Sequence, residues 1–92
     1  MNIPPAFPKM GAWFDTEVRD MIREGEDVFS FALRHIDDHE KQEVKTFLIE
    51  VLATVHDPKE LQRLWRHAQS RIVIPDDRHL RALLQEIVNR IG

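Results

Sequence analysis

The five histidines have the most versatile chemistry in this chain. His35 and His39 are four positions apart, a spacing that would place two imidazoles on one face of a helix, where they could bind zinc. The intervening sequence, Ile36-Asp37-Asp38, is typical of a helix boundary, which would remove that shared face. The other histidines lie near predicted helix ends or on polar faces, with no third ligand at a diagnostic spacing: His56, His67 and His79. We therefore predict no metal site and interpret the histidines as surface or capping residues.

Catalytic groups are equally hard to assemble from this sequence. The carboxylates cluster at predicted helix starts, where the helix dipole explains them without catalysis. Acid–base catalysis would need carboxylates that converge in a cleft. The chain has no cysteine, and therefore no thiolate nucleophile and no disulfide. Ser30 and Ser70 lack the context of a nucleophile elbow, and the glycines form no phosphate-binding loop. We predict that the protein is not an enzyme and uses no cofactor.

The element that organises the chain is a helix predicted from Asp38 to Val55. Its apolar residues recur with the period of a helix, which excludes a strand. They are Val44, Phe47, Leu48, Val51, Leu52 and Val55. Asp37 is the predicted N-cap, with Glu40 at the capping-box spacing. Ile49 and Ala53 lie beside the stripe and would widen it, which predicts that this helix packs against more than one neighbour.

Three further helices follow from the same signals. Glu26 and Asp27 open a helix whose buried face is predicted to hold Val28, Phe29, Ala32, Leu33 and Ile36, with Phe31 off the stripe and partly exposed. In DPKELQRLW, Asp57 is the cap, Pro58 is the first helical residue and Glu60 completes a capping box. Its inner face would hold Leu61, Leu64, Trp65 and Ala68, and the short turn predicts a hairpin with the central helix. Asp76 and Asp77 begin the last helix, whose apolar stripe comprises Leu80, Leu83, Leu84, Ile87, Val88 and Ile91.

The remaining segments are less regular. Prolines predict an irregular arm over residues 1–8, followed by a short helix from about Pro8. That helix would carry Met10, Trp13 and Phe14 as core anchors, a surface aromatic site being the alternative. Residues 15–24 read as a short helix or an ordered loop that Gly25 ends. Residues 70–75 read as an extended connector that directs Ile72 and Ile74 into the core.

Together these elements predict one all-α domain over residues 1–92, an irregular bundle of four to six helices with no sheet. No apolar run reaches ten residues, so we expect no membrane span. The N-terminus lacks the features of a signal peptide. We therefore predict a cytoplasmic protein.

The net charge of −3 conceals an asymmetry. Residues 1–57 carry 6 Lys/Arg against 12 Asp/Glu, a balance of −6, whereas residues 58–92 carry 7 against 4, a balance of +3. Each half could simply solvate its own exposed faces, or the acidic side could steer toward a basic partner. The basic half raises the alternative of nucleic-acid binding through Arg63, Arg66, Arg71, Arg78 and Arg81. Because the overall charge is acidic and no glycine-containing helix-turn-helix is present, we consider nucleic-acid binding the weaker interpretation.

The order of these segments resembles that of the small helical immunity proteins of bacterial contact-dependent growth inhibition systems. The matching segments are the aromatic pair Trp13 and Phe14, then EDVFSFAL, VKTFLIEVLA, DPKELQRLW and LRALLQEIV, over roughly residues 12–91. One departure is FDTEV, where Glu17 and Val18 stand in place of the family's Asp-Trp step. The resemblance implies a protein that binds the toxic C-terminal domain of a cognate effector and blocks its active site.

Such toxins often have basic substrate channels, as the resemblance implies, and an acidic face on the inhibitor would complement them. The candidate residues lie near the starts of adjacent helices: Glu24, Glu26, Asp27, Asp37, Asp38, Glu40 and Glu43. Phe31 is the candidate aromatic anchor. The alternative for the acidic group is a solvated surface that complements the helix dipoles. For the whole protein, the other interpretation is a small regulatory or structural domain that self-associates or docks on a larger partner.

Overall fold

Two long helices carry the core of the structure, a computed structural model that describes residues 2–15, 26–72 and 74–92. They are α3, Asp38–Thr54, and α5, Asp77–Ile91, which pack against each other along their apolar stripes. Three shorter helices surround them: α1, Ala6–Gly11, α2, Val28–Leu33, and α4, Pro58–His67. The described residues contain no strand, and the radius of gyration is 12.4 Å. The all-α bundle expected from the sequence is confirmed.

The start of α3 has the capping box predicted for it. The Asp37 carboxylate accepts a hydrogen bond from the Glu40 amide at 2.8 Å, and the Asp37 amide donates to the Glu40 carboxylate at 3.1 Å. The apolar stripe is buried through Val44, Phe47, Leu48 and Val51. The prediction that Ile49 and Ala53 widen the buried stripe is wrong. Ile49 is 48% exposed and Ala53 is also exposed, because α1 and α5 are both accommodated without that flank.

The predicted pairing of α4 with α3 is also wrong, since α4 packs on α5. The chain leaves α3 at Val55 in an extended conformation, and Asp57, the cap of α4, is extended as well. This extended step carries α4 away from a hairpin. Arg81 of α5 instead occupies the end of α3, where its guanidinium donates to the carbonyl oxygens of Leu52 and Val55. Those carbonyls have no partner within the helix, so Arg81 satisfies acceptors that would otherwise need water.

The inner face of α4 is buried as predicted, through Leu61, Leu64, Trp65 and Ala68. Its cap differs in detail: the Asp57 carboxylate accepts from the Lys59 amide at 2.9 Å, without a reciprocal bond from Glu60. The described residues of the connector after α4, 70–72 and 74–76, form neither helix nor strand, and Ile72 and Ile74 pack partly buried against the core, as expected. Trp65 Nε1 donates to the Ile72 carbonyl at 3.0 Å, and the Gln62 amide donates to the Ile74 carbonyl at 2.7 Å. Side chains of α4 therefore hold the connector in place.

The N-terminal helix begins at Ala6, two residues before the predicted start at Pro8. Pro8 lies in the first turn, where its missing N–H has no helical acceptor to lose. Phe7, which the sequence places in the irregular arm, is fully buried and packs on Phe47 with ring centroids 5.3 Å apart. Phe14 is buried as predicted, although it and the half-buried Trp13 follow α1 in a turn.

Phe31 is only 1% exposed, so its predicted partial exposure is wrong. The helix α2 is short and ends at Leu33, and both of its sides are covered. Ala32 and Leu33 face the main core, while Trp13 packs edge-on against Phe31 at 5.6 Å. Ile36 remains buried in the turn beyond the helix. The predicted helix or loop over residues 15–24, its end at Gly25 and the candidate Glu24 lie outside the described residues, except for Asp15. None of the described helices is long and apolar enough to cross a membrane.

Candidate partner-binding surface

The acidic residues at the start of α2 are held by cations of the same chain. Asp27 caps α2 by accepting from the Ser30 amide at 3.0 Å, and it also binds the Arg90 guanidinium at 2.5 Å. The hydrogen bond from the Ser30 amide, and then the Arg90 guanidinium, lower the pKa of Asp27 below its ordinary value. Arg90 also binds Glu86 at 2.6 Å. The hydrogen bonds that Arg90 donates to the Glu86 and Asp27 carboxylates raise the pKa of Arg90.

The acidic residues at the start of α3 are largely occupied in the same way. Glu40 binds Lys9 of α1 at 3.0 Å, and Glu43 binds His39 at 3.0 Å. The hydrogen bond from the Glu40 amide lowers the pKa of Asp37. Asp38 is fully exposed and only 3.8 Å from the Lys41 ammonium. Just before α2, the Glu26 carboxylate lies 3.5 Å from the Arg34 guanidinium.

A polar depression of about 600 Å³ separates the two acidic groups. Three of its lining residues are cations that belong to the ion pairs just described: Arg34, Lys41 and Arg90. The surface predicted as acidic is therefore a network of both signs. Asp38 is the predicted carboxylate that stands most open to a partner. Phe31, buried beneath Arg34 at 5.0 Å from its ring, presents no anchor in this conformation.

A more open groove lies between the N-terminal arm and the outer face of α3. Its volume is about 600 Å³. The apolar part of the lining comes from Ile3, Pro4, Pro5 and Phe47, and the polar part includes two carboxylates, Glu43 and Glu50. The Glu50 side chain has no ion-pair partner among the residues that the structure describes. The groove thus joins an apolar floor to an acidic rim.

Sequence reasoning identified Glu43 but missed Glu50 and the whole groove. A signal was present: the polar residues of this face, His39, Glu43, Thr46 and Glu50, recur with helical spacing opposite the apolar stripe. What periodicity does not provide is the second wall. Residues 2–5 form that wall because α1 begins early and Phe7 anchors it on Phe47.

The two histidines with metal-pair spacing do not share a face. His35 lies in the turn after α2, where its ring stacks on Trp13 at 3.8 Å and its Nδ1 donates to the Phe31 carbonyl at 2.8 Å. His39 lies on α3 and binds Glu43. Across the described ranges, no group of three or more potential metal ligands is placed to hold an ion.

Comparison with known proteins adds no relative: no family model, no curated protein and no solved structure matches the chain. The functional argument therefore depends on the geometry of these surfaces.

Proposed function

We propose that the protein is an immunity-type binding protein, which neutralises a cognate toxin domain by direct protein–protein contact. The observation that supports this proposal is the groove between residues 2–5 and α3, with its apolar floor and acidic rim. Apolar area with a few well-placed polar groups is the composition of a recognition site. The resemblance to immunity proteins supplies the class of partner.

The shape and charge of the groove define the partner segment. Glu43 and Glu50 are seven residues apart on one helix, which corresponds to about 10 Å along its axis. A fitting segment places an apolar side chain against Ile3 and Phe47 and a lysine or arginine near each carboxylate. Complementary charge at the rim accelerates association and favours the correct partner. The desolvated apolar contact supplies most of the affinity.

Neutralisation by this route needs no catalytic group on the inhibitor. A protein of this size, seated on the mouth of a basic substrate channel, blocks the channel by volume alone. The carboxylates then occupy positions that the anionic substrate of the toxin would otherwise take. Basic channels are the feature that the family resemblance implies for the toxin.

The test begins with the neighbouring genes: if one of them encodes a large secreted protein, its C-terminal domain is co-expressed with this chain, and the absence of any such gene would count against the proposal. We expect the two chains to co-elute in size-exclusion chromatography and the toxin's growth inhibition to be suppressed. The charge reversal Glu43→Lys with Glu50→Lys should raise the Kd at least tenfold. Circular dichroism of each variant confirms that the fold is retained.

The matched control is Glu60→Lys with Asp77→Lys, which makes the same change in net charge at two carboxylates that lie outside the groove and are not predicted partner-binding residues. We expect that control to bind within about threefold of the wild type. An equal loss in both variants would assign binding to overall charge rather than to the groove. A protein that dimerises with rising concentration and ignores the toxin domain would instead be a self-associating module.

A further inference from the structure

The outward face of α4 carries a stripe of cations with no internal partner. Lys59, Arg63 and Arg66 follow one another with the spacing of a single helical face, and all three are exposed. Among the residues that the structure describes, none of the three is paired with a carboxylate or bonded to a carbonyl oxygen. Unlike the acidic network near α2 and α3, this stripe retains its full charge for a partner.

Cations elsewhere in the described ranges are mostly engaged. Carboxylates or carbonyl oxygens hold Lys9, Arg34, Lys41, Lys45, Arg71, Arg81 and Arg90. Arg78 is exposed and also lacks a partner among the described residues, but it lies on α5. Of the arginines that the sequence suggested for nucleic-acid binding, Arg71 and Arg81 are therefore occupied within the protein. Lys59 joins Arg63 and Arg66 as an exposed cation without a partner in the described part of the chain, so most of the available positive charge lies on α4.

The surroundings of the stripe indicate the kind of partner. A shallow depression of about 370 Å³ is lined by Pro58, Lys59, Gln62, Arg63 and Arg66, so its lining is mostly cationic and contains no aromatic ring. The core of a protein–protein interface is usually depleted in charge and enriched in aromatic residues. A phosphate backbone needs only cations and hydrogen-bond donors. The composition therefore favours a nucleic-acid backbone over an acidic protein.

We propose that the outer face of α4 binds the phosphate backbone of nucleic acid without sequence preference. Lys59 and Arg66 are seven positions apart, about 10 Å along the helix, and one strand of duplex DNA carries one phosphate for about every 3.4 Å of the duplex axis. Three cations therefore match about three consecutive phosphates. This surface is separate from the groove that binds the toxin domain in the proposed function, and neither proposal depends on the other.

The experiment measures fluorescence anisotropy of a labelled duplex of about 20 base pairs and mixed sequence, titrated with the full chain over a range of salt concentrations. Three phosphate contacts predict a slope of about −2.7 for log K against log salt, and a Kd of roughly 10⁻⁴ M at physiological salt, which becomes tighter as the salt is lowered. The variant Lys59→Gln, Arg63→Gln, Arg66→Gln should lose at least tenfold in affinity. A duplex of unrelated sequence should bind equally well.

The control Lys9→Gln, Lys41→Gln, Lys45→Gln changes the net charge by the same amount on α1 and α3 and should stay within about twofold of the wild type. An equal loss in the two variants would overturn the proposal, as would binding that does not depend on salt. Binding of a polyglutamate peptide of equal charge, with no binding of the duplex, would identify an acidic protein as the partner instead. Toxin-domain binding, measured on the same α4 variant, should be unchanged.

Discussion

At the scale of single residues, Phe31 shows how one ring can belong to the fold rather than to an interface. Its side chain is 1% exposed and contacts Trp13, His35 and Arg34. Phe31→Ala should therefore destabilise the protein by about 3–5 kcal/mol, the usual cost of removing a buried phenylalanine. Urea unfolding measures the change, and an exposed interface anchor would show almost none.

Asp27 offers a second test because its two partners can be separated by substitution. Asparagine caps helices about as well as aspartate, whereas alanine does not cap them. Asp27→Ala should cost about 1 kcal/mol of stability through loss of the bond from the Ser30 amide. Asp27→Asn keeps that bond, loses only the ion pair with Arg90, and should cost less. Denaturant unfolding at neutral pH compares the two, and equal losses would mean that the Arg90 contact, not the cap, dominates.

At the scale of elements, the close approach of α1 to the end of α4 depends on a glycine. A Cβ built on Gly11 would lie 2.4 Å from the Ala68 carbonyl oxygen and 2.6 Å from the Ala68 Cβ. Gly11→Ala should therefore destabilise the protein by about 1–3 kcal/mol, although alanine is the better helix former. Adding Ala68→Gly removes one of the two clashes and should recover part of the loss. If Gly11→Ala is neutral, the two segments do not pack as closely as described.

The elements also show which structural features can be predicted from sequence. The caps at Asp37, Asp57 and Asp76 were predictable because a capping bond joins residues two or three positions apart. The pairing of α4 with α5, and the covering of Phe31 by Trp13, depend on contacts distant in sequence. Helical periodicity tells which face is buried but not which helix buries it. The groove was missed for the same reason, since Glu50 becomes part of a site only when residues 2–5 form the opposite wall.

At the scale of the whole molecule, the charge distribution differs from the one expected from the sequence. The acidic half contains cations that neutralise its carboxylates in pairs such as Glu40 with Lys9. Two arginines of the basic half are also engaged: Arg90 forms an ion pair with Asp27, and Arg81 binds a carbonyl oxygen at the end of α3. Charge without an ion-pair partner in the described part of the chain remains at Glu50 on the rim of the groove and along the outer face of α4, so the protein's field steers oppositely charged partners toward both places.

This network predicts how stability responds to acid and to salt together. Asp27 and Asp37 have pKa values below the ordinary 3.8, and the largest cause in each is a hydrogen bond from a backbone amide. A lowered folded-state pKa stabilises the fold above pH 3.8, and that stabilisation is lost as the pH falls below 3.8 through the folded value. Stability should therefore fall on acidification from about pH 6 to about pH 3.

Salt separates the two possible origins of that loss. In about 1 M salt the Debye length is about 3 Å, so attraction between exposed charges is largely screened, whereas a direct hydrogen bond is not. We expect the loss of stability on acidification to persist in that salt, and to become smaller in the double variant Asp27→Asn, Asp37→Asn, which keeps both caps without titrating. Urea unfolding at about pH 6 and about pH 3, each with and without the added salt, measures this loss of stability. If salt alone abolishes the pH dependence, then ion pairs rather than helix caps link the stability of this protein to pH.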